Sequence, residues 1–174
     1  LEVLERTAQK PAGRLIQIAI APVKNASRFE WFIEKATELG VQRIIPIRTQ
    51  RTEKDRLRID RLRQVAVAAM LQSQQVWLPQ IEEPISYATL VKDWQACSLQ
   101  RLIAHCTETE RTPISQLTLS EAVGLMIGPE GDFTPEEIAL ASAAGFQPVQ
   151  LGETRLRTET AGVVGATWLR LQKH

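Results

Sequence analysis

The feature that most constrains this chain is a pattern that occurs twice near its C-terminus: a short apolar run, a glycine-bearing turn and then a helix. The first run, residues 123–127, leads into the turn Gly128-Pro129-Glu130-Gly131. The second run, residues 149–151, ends at Gly152, and a polar stretch then leads to a last helix. Apolar runs that alternate with helices indicate an α/β layer fold, a sheet with helices packed on it.

The helix between the two runs carries its own start and stop signals. Thr134 is placed to cap it, Pro135 suits its first position, and Glu137 lies where a capping box needs a carboxylate. Gly145 is placed to end the helix. The first turn is therefore confined to the few residues between strand and helix.

The two turns together predict a ligand pocket at one edge of the sheet. In open α/β sheets, small ligands bind beyond the carboxyl ends of the strands. Glycine lets the main chain approach a ligand without a side chain in the way. Two such turns on neighbouring strands would make a pocket walled by main chain, which could hold a flat adenine through amide hydrogen bonds.

The rest of the chain predicts further strands and helices. Apolar patterning predicts strands over residues 14–21, 41–47 and 98–106, and helices over residues 55–76, 86–94 and 160–172. Another helix should run from Asn25 or Ser27 to Gly40, and Ser27 with Glu30 would form a capping box. The apolar positions of the last helix are Val163, Val164, Thr167, Trp168 and Leu171. Trp168 is expected either in the core or exposed at an interface.

Composition places the chain among ordinary globular proteins. It has 174 residues, of which 44% are hydrophobic and 24% charged, enough for one domain with a sizeable core. No apolar run approaches the roughly 20 residues of a membrane helix, and no signal peptide is visible, so a cytoplasmic location is expected. Cys97 and Cys106 form neither a metal-binding nor a disulfide pattern. No dinucleotide-binding or phosphate-loop motif is present.

A net charge of +1 conceals a local excess of positive charge. Residues 48–63 hold seven arginines and lysines against Glu53, Asp55 and Asp60. Such clusters bind phosphates by releasing counterions, and arginine suits this role well. The alternative is a solvated helix face with acid–base pairs three or four residues apart. The residues expected to contact RNA are Lys24, Arg48, Arg51, Lys54 and Arg56.

Four segments resemble one family in residues, order and spacing. They are Ile127–Gly131 with Phe133; Leu151-Gly152 with Leu156–Ala161; Lys35–Val41, preceded by Lys24 and followed by Pro46; and Gln72-Ser73 ahead of Leu78-Pro79 and Ile81. These residues resemble the RsmE family of ribosomal small-subunit RNA (uracil-N3) methyltransferases, which belongs to the SPOUT superfamily.

The resemblance implies a parallel sheet flanked by helices, with a deep trefoil knot near the C-terminus. It also implies S-adenosylmethionine as cofactor, ribosomal RNA or the small ribosomal subunit as partner, and a homodimer through the knot region. Residues 1–174 would form the methyltransferase domain alone. The N-terminal PUA-like barrel that family members usually carry is expected to be absent, since 174 residues leave no room for it.

The resemblance also implies a set of site residues. N3 of uracil is an imide that must lose its proton before it can accept a methyl group, so a base and a cation are expected near it. Glu159 is the expected base or orienting residue and Arg157 the expected cation; the alternative is a structural ion pair between them. His105, which closes a strand, is a less favoured base, because such a histidine is more often structural. The expected cofactor-binding residues are Ile127, Gly128, Pro129, Glu130, Gly131, Leu151, Gly152, Leu156, Arg157 and Thr160.

The chain departs from the family pattern at several positions. Asp132 stands where the family usually has a second glycine, and aspartate tolerates left-handed backbone. Thr154 and Arg155 replace an arginine and an aliphatic residue, while Leu71 and Gln75 replace a glutamate and an arginine expected to face the substrate. The lost charges leave two alternatives open: an RNA-binding relative with weak or no catalysis, or an enzyme of this superfamily that acts on a different RNA.

Overall fold

The computed structural model describes residues 13–53, 56–107 and 110–172, in which eight strands and five α-helices are present. Lys54 and Asp55 lie outside these ranges. The strands are β1 Leu15–Ile20, β2 Arg43–Arg48, β3 Gln80–Ile81, β4 Ile85–Ser86, β5 Gln100–Ala104, β6 Thr112–Pro113, β7 Ala122–Ile127 and β8 Gln147–Gln150. The α-helices are α1 Ala26–Glu38, α2 Ile59–Gln72, α3 Tyr87–Gln95, α4 Pro135–Ala143 and α5 Thr158–Leu171, and a short 3₁₀ helix spans Ile114–Gln116.

Every strand pairing in the described sheet is parallel. The order across the sheet is β3-β2-β1-β7-β5-β8-β6, and β4 pairs with the end of β2. The carboxyl ends of three strands lie almost in register. Ala104 pairs with Ile127, each the last residue of its strand, and also with Val149, the next-to-last residue of β8. The carboxyl ends of β5, β7 and β8 therefore meet at one edge, where both glycine turns begin.

Helices cover both faces of the sheet, which confirms the predicted parallel α/β architecture. One face packs against α1, α2 and α5, in a core that includes Ile18, Phe32 and Leu125. The other packs against α3 and α4, in a core that includes Ala19, Trp94 and Phe133. Strands buried on both sides explain the nearly continuous apolar runs of the sequence. No helix among the described residues is both long and apolar enough to span a bilayer.

The last helix packs through small residues rather than through its large apolar ones. A Cβ atom at Gly165 would lie 2.3 Å from Leu125, and one at Gly162 would lie 2.5 Å from Phe32. The buried residues of α5 also include Ala161, Ala166 and Leu169. The apolar positions expected from sequence are half-buried or exposed, with Trp168 38% and Leu171 69% exposed. The sequence missed the buried face because glycine and alanine add little to a hydrophobic pattern.

Several predicted helix ends are confirmed and others are wrong. The capping box of Thr134 and Glu137 is present, whereas α1 is capped by Asn25 and not by a box of Ser27 and Glu30. The helix α2 begins at Ile59, four residues later than predicted, so Arg56 and Arg58 of the basic run precede it. The helix α5 begins at Thr158, two residues earlier than predicted, and Glu159 therefore belongs to its first turn.

Candidate functional site at the carboxyl edge of the sheet

A cavity of about 490 Å³ opens where the three strands end. Its wall comes from the segment after β5, the turn after β7 and the segment after β8, with Arg28 and Ala161 from the helices beside them. The predicted juxtaposition of the two glycine turns is confirmed, because residues 127–130 and 149–152 border the same space.

The turn after β7 is held by a network of hydrogen bonds. Asp132 adopts the left-handed conformation expected of it, with φ 63°. Its Oδ1 accepts a hydrogen bond from the Phe133 amide (2.8 Å), and its Oδ2 accepts one from the Cys106 amide (2.7 Å). The Thr158 hydroxyl donates to the Gly128 carbonyl (3.0 Å). Asp132 thus ties the segment after β5 to this turn, and Thr158 ties the start of α5 to it.

The segment after β8 has fewer contacts. Residues 152–155 are exposed, and a Cβ atom at Gly152 would meet no described residue within 4 Å. The Gln150 side chain donates to the Gly152 carbonyl (3.0 Å), and Arg155 Nη2 donates to the Glu130 carbonyl (3.4 Å). Arg157 is the N-cap residue of α5 and makes no side-chain capping bond. This side of the cavity is therefore open.

Most of the predicted cofactor-binding residues lie along the cavity wall. Gly131 and Thr160 do not: the Gly131 carbonyl accepts a bond from Arg51 Nη1 (2.7 Å), and Thr160 is half-buried within α5. The role of the whole set in binding stays a prediction. The residues on the wall are Ile127, Gly128, Pro129, Glu130, Leu151, Gly152, Leu156 and Arg157.

The two predicted catalytic residues lie in different surroundings. Arg157 is exposed and forms part of the wall. The Glu159 side chain is only 6% exposed, lies behind the wall and has its Oε1 3.9 Å from Nε of Arg28. The alternative of a structural ion pair between Arg157 and Glu159 is therefore wrong: the ionic partner of Glu159 is Arg28, on α1.

His105 follows β5 and faces the same space. It is buried, it belongs to the cavity wall, and neither ring nitrogen finds a hydrogen-bond partner among the described residues. Burial lowers the pKa of His105, and the Arg111 guanidinium lowers it further against the opposing effect of Asp132. The imidazole is therefore mainly neutral at pH 7, with one nitrogen able to donate and the other to accept.

A model of the RNA methyltransferase domain matches residues 10–170. The chain belongs to this family. Ribosomal RNA small subunit methyltransferase E of Synechocystis is 34% identical over 86% of this chain and 50% of its own length. The crystal structure of a probable rRNA-methyltransferase from Porphyromonas gingivalis is 41% identical, with a TM-score of 0.87, over 95% of this chain and 71% of that one.

A third relative carries a ligand. The Neisseria gonorrhoeae ribosomal RNA small subunit methyltransferase E, solved bound to S-adenosyl methionine, is 28% identical with a TM-score of 0.79. The match covers 88% of this chain and 64% of that one. This RNA methyltransferase domain thus spans half of the Synechocystis relative and about two thirds of the two solved structures.

The basic run of the RNA methyltransferase domain divides into two groups. Arg63 pairs with Asp60, three residues away, as expected of a solvated helix face, whereas Arg61 pairs with Glu30 on α1. Arg51 instead holds the turn after β7 from outside the cavity, and Lys24 pairs with Glu53. Arg48 and Arg56 are exposed. Lys54, also predicted to contact RNA, lies outside the described residues.

Sequence reasoning missed Arg28, Cys106 and Arg111 on the wall. A signal for Arg28 was available: the helix after β1 must begin at the same edge at which the parallel strands end, so its first turn lies near the cavity. Gln75, expected to face the substrate, donates to the carbonyls of Thr37 (3.0 Å) and Glu38 (2.6 Å) at the end of α1. Gln75 thus caps a helix, and its position relative to the substrate stays a prediction.

Proposed function

We propose that this chain is an S-adenosylmethionine-dependent methyltransferase that acts on N3 of a uridine in small-subunit ribosomal RNA. The observation that carries the proposal is the cavity between the two glycine turns, whose wall includes Gly128 and Gly152. The names of the relatives supply the reaction class and the RNA, and the Neisseria structure supplies the cofactor.

The cavity suits an adenosyl group. Its volume of about 490 Å³ lies within the usual range for small-ligand pockets. Gly128 and Gly152 border the cavity without a side chain, and Ile127, Leu151 and Leu156 provide apolar surface for a flat base. The unpartnered nitrogens of His105 offer a polar contact inside the wall. When bound, the cofactor supplies a methyl group on a positively charged sulfur.

The residues of the chain would then prepare the uracil. Arg157, on the open side of the wall, can stabilise the negative charge that the ring gains when N3 loses its proton. Glu159 remains a proposed base or orienting residue, and its burial behind the wall favours orientation. The neutral imidazole of His105 is the second group that can accept the proton, because it lies in the wall itself.

The surface around the cavity supports an RNA partner. Arg51 bonds to the turn after β7 and Arg155 to Glu130, so both guanidinium groups lie at the rim. We include Lys24, Arg48 and Arg56 in this surface, and Lys54 from the sequence alone. Phosphate contacts of this kind predict binding that weakens steeply with salt.

We also propose a homodimer and a knot. Trp168 and Leu171 leave apolar surface on the outward side of α5, which favours an interface there. In the sheet, β8 lies between β5 and β6, although it follows both of these strands in the sequence. This order is compatible with a C-terminal segment that is threaded through a loop. Light scattering coupled to size exclusion tests the dimer, and Trp168→Glu should shift the mass towards the monomer.

Two measurements test the activity. Calorimetric titration with S-adenosylmethionine should show saturable binding; absence of binding at millimolar cofactor contradicts the proposal. Small ribosomal subunits from a knockout strain should then lack N3-methyluridine in nucleoside mass spectrometry, and the purified protein with cofactor should restore it. Persistence of the modified nucleoside in the knockout would show that the substrate is a different RNA, and cofactor binding without transfer would favour the weakly catalytic alternative.

A further inference from the structure

We propose that Arg28 is a second cation, beside Arg157, that contacts an anionic oxygen of the ligand, and that Glu159 is the positioning residue that holds Arg28 at the cavity wall. The inference rests on the proposed function and deepens it. It replaces a role for Glu159 at the reacting atoms by a role through a second side chain.

The fold fixes the two residues beside each other. Arg28 lies in the first turn of α1. Asn25 sets the start of this helix, because the Asn25 Oδ1 accepts hydrogen bonds from the amides of Ser27 (2.9 Å) and Arg28 (3.3 Å). Glu159 lies in the first turn of α5. The two helices pack closely, since a Cβ atom at Gly162 would lie 2.5 Å from the Phe32 ring. Their amino ends are therefore held together at the cavity.

Burial and charge assign different tasks to the two side chains. Glu159 is nearly inaccessible, and its Oε2 has no hydrogen-bond partner among the described residues. Arg28 is 41% exposed, belongs to the cavity wall and comes closest to Glu159 through Nε, at 3.9 Å. A buried carboxylate requires a nearby cation, so Glu159 restrains Arg28 electrostatically. The group that can touch a ligand is the guanidinium.

The terminal nitrogens of Arg28 are suited to an anionic oxygen. Neither donates a hydrogen bond to any residue in the described part of the chain. A guanidinium presents planar, paired donors that match a carboxylate or a charged carbonyl oxygen. Two such oxygens belong to the proposed reaction: the carboxylate of S-adenosylmethionine and the uracil oxygen that gains charge when N3 is deprotonated.

The test uses Arg28→Ala, Arg28→Lys, Glu159→Gln and the double variant Arg28→Ala/Glu159→Gln. Arg43→Ala and Glu82→Gln are matched controls, because Arg43 pairs with Glu82 through Nε (2.9 Å), is 38% exposed and begins β2 at the opposite edge of the sheet. Affinity is measured for S-adenosylmethionine and for its decarboxylated form, and kcat and KM are measured for methyl transfer. Thermal melting confirms that each variant folds.

We expect Arg28→Ala to lower either cofactor affinity or kcat at least tenfold and Arg28→Lys to recover part of the loss. Glu159→Gln should affect the same parameter three- to tenfold, and the double variant should be no worse than Arg28→Ala. Loss of affinity for S-adenosylmethionine alone identifies the cofactor carboxylate as the partner. Unchanged affinity with reduced kcat identifies the uracil oxygen.

Three results would overturn the inference. The first is that Arg28→Ala changes affinity and kcat no more than Arg43→Ala does. The second is that the defects of Arg28→Ala and Glu159→Gln multiply in the double variant. The third is that Glu159→Gln abolishes methyl transfer while Arg28→Ala has no effect, which would make Glu159 the base. If Glu159→Gln does not fold, the exposed Arg28 variants still decide the contact. A wild-type protein that binds no cofactor disproves the proposed function and the inference with it, whereas normal wild-type binding with unaffected Arg28 variants disproves the inference alone.

Discussion

The two glycine turns that border the cavity look alike in sequence but are held very differently. The turn after β7 has Phe133 buried beneath it, Asp132 bonded to the Cys106 amide and a capping box at its end. The segment after β8 is exposed at residues 152–155. One side of the cavity is therefore fixed before a ligand arrives, and the other can adjust to it.

The difference shows that glycine after a strand specifies a bend but not its rigidity. Rigidity comes from partners that are distant in the sequence, such as Thr158 on Gly128 and Arg51 on Gly131. A preformed wall lowers the ordering free energy that binding must overcome, while a mobile wall permits entry and release. The comparison can be tested with paired variants, one on each side.

The largest expected effect comes from Phe133→Ala. Phe133 is buried, and its ring centroid lies 5.6 Å from that of Tyr87. Removing a buried aromatic ring should lower the free energy of unfolding by about 3–5 kcal/mol. Leu156→Ala, at a half-buried residue on the open side, should lower it by about 1 kcal/mol. Urea denaturation measures both, and equal losses would mean that the two sides are equally well packed.

Valine at the two glycines should separate stability from binding. A Cβ atom at Gly128 would lie 3.1 Å from the Phe133 ring, so Gly128→Val should destabilise the fold by about 1–3 kcal/mol. At Gly152 a Cβ atom meets open space, so Gly152→Val should change stability by less than about 0.5 kcal/mol. Because Gly152 borders the cavity, its valine variant should still weaken cofactor binding at least tenfold in calorimetry. Unchanged affinity would place the adenosyl group elsewhere.

Removal of the capping box should have a smaller effect. The Thr134 hydroxyl accepts a bond from the Glu137 amide (3.3 Å), and the Glu137 carboxylate accepts one from the Thr134 amide (2.9 Å). Thr134→Ala should lower the free energy of unfolding by about 1 kcal/mol, as at other helix caps. Thr154→Ala, at an exposed position of the open segment, serves as control and should change it by less than about 0.5 kcal/mol. A large effect at Thr154 would contradict the description of this segment as weakly held.

The smallest expected effect concerns pH. Because the folded protein lowers the pKa of His105, the unfolded chain binds a proton more readily below the ordinary histidine pKa of about 6.5. The contribution of His105 to stability should therefore be present above this pH and be lost as the pH falls below it. One proton limits the slope to about 1.4 kcal/mol per pH unit. Denaturation curves recorded between pH 7.5 and 5.5 give the free energy of unfolding at each pH. This free energy should depend less on pH for His105→Gln than for the wild type, and an equal pH dependence would contradict the lowered pKa.

Local signals predicted much of the fold because they depend on neighbouring residues. The start of α4 at Thr134, the ends of α1 and α4 near Gly40 and Gly145, and the strands β1, β2 and β7 follow from capping, glycine conformation and apolar runs. The predicted first residues of α2 and α5 were wrong, because charged and polar residues occur both just before a helix and in its first turn.

The site was predicted in position but not in its charge network. Residues of both turns were placed around one pocket, and they do border one cavity. The pairing of Glu159 with Arg28 could not be read from the chain, because more than a hundred positions separate them and only the packing of α5 on α1 brings them together. The same holds for the bond between Asp132 and the Cys106 amide.

By itself, the sequence determined where the chain bends, which runs are buried and which family it joins, because capping, apolar periodicity and motif spacing are local properties. Only the tertiary structure decided that β8 lies between β5 and β6, that α5 packs through its glycines, and that Glu159 lies beside Arg28 at the cavity wall. These features arise from close packing between distant segments, whose geometry depends on the whole core rather than on any one stretch of residues.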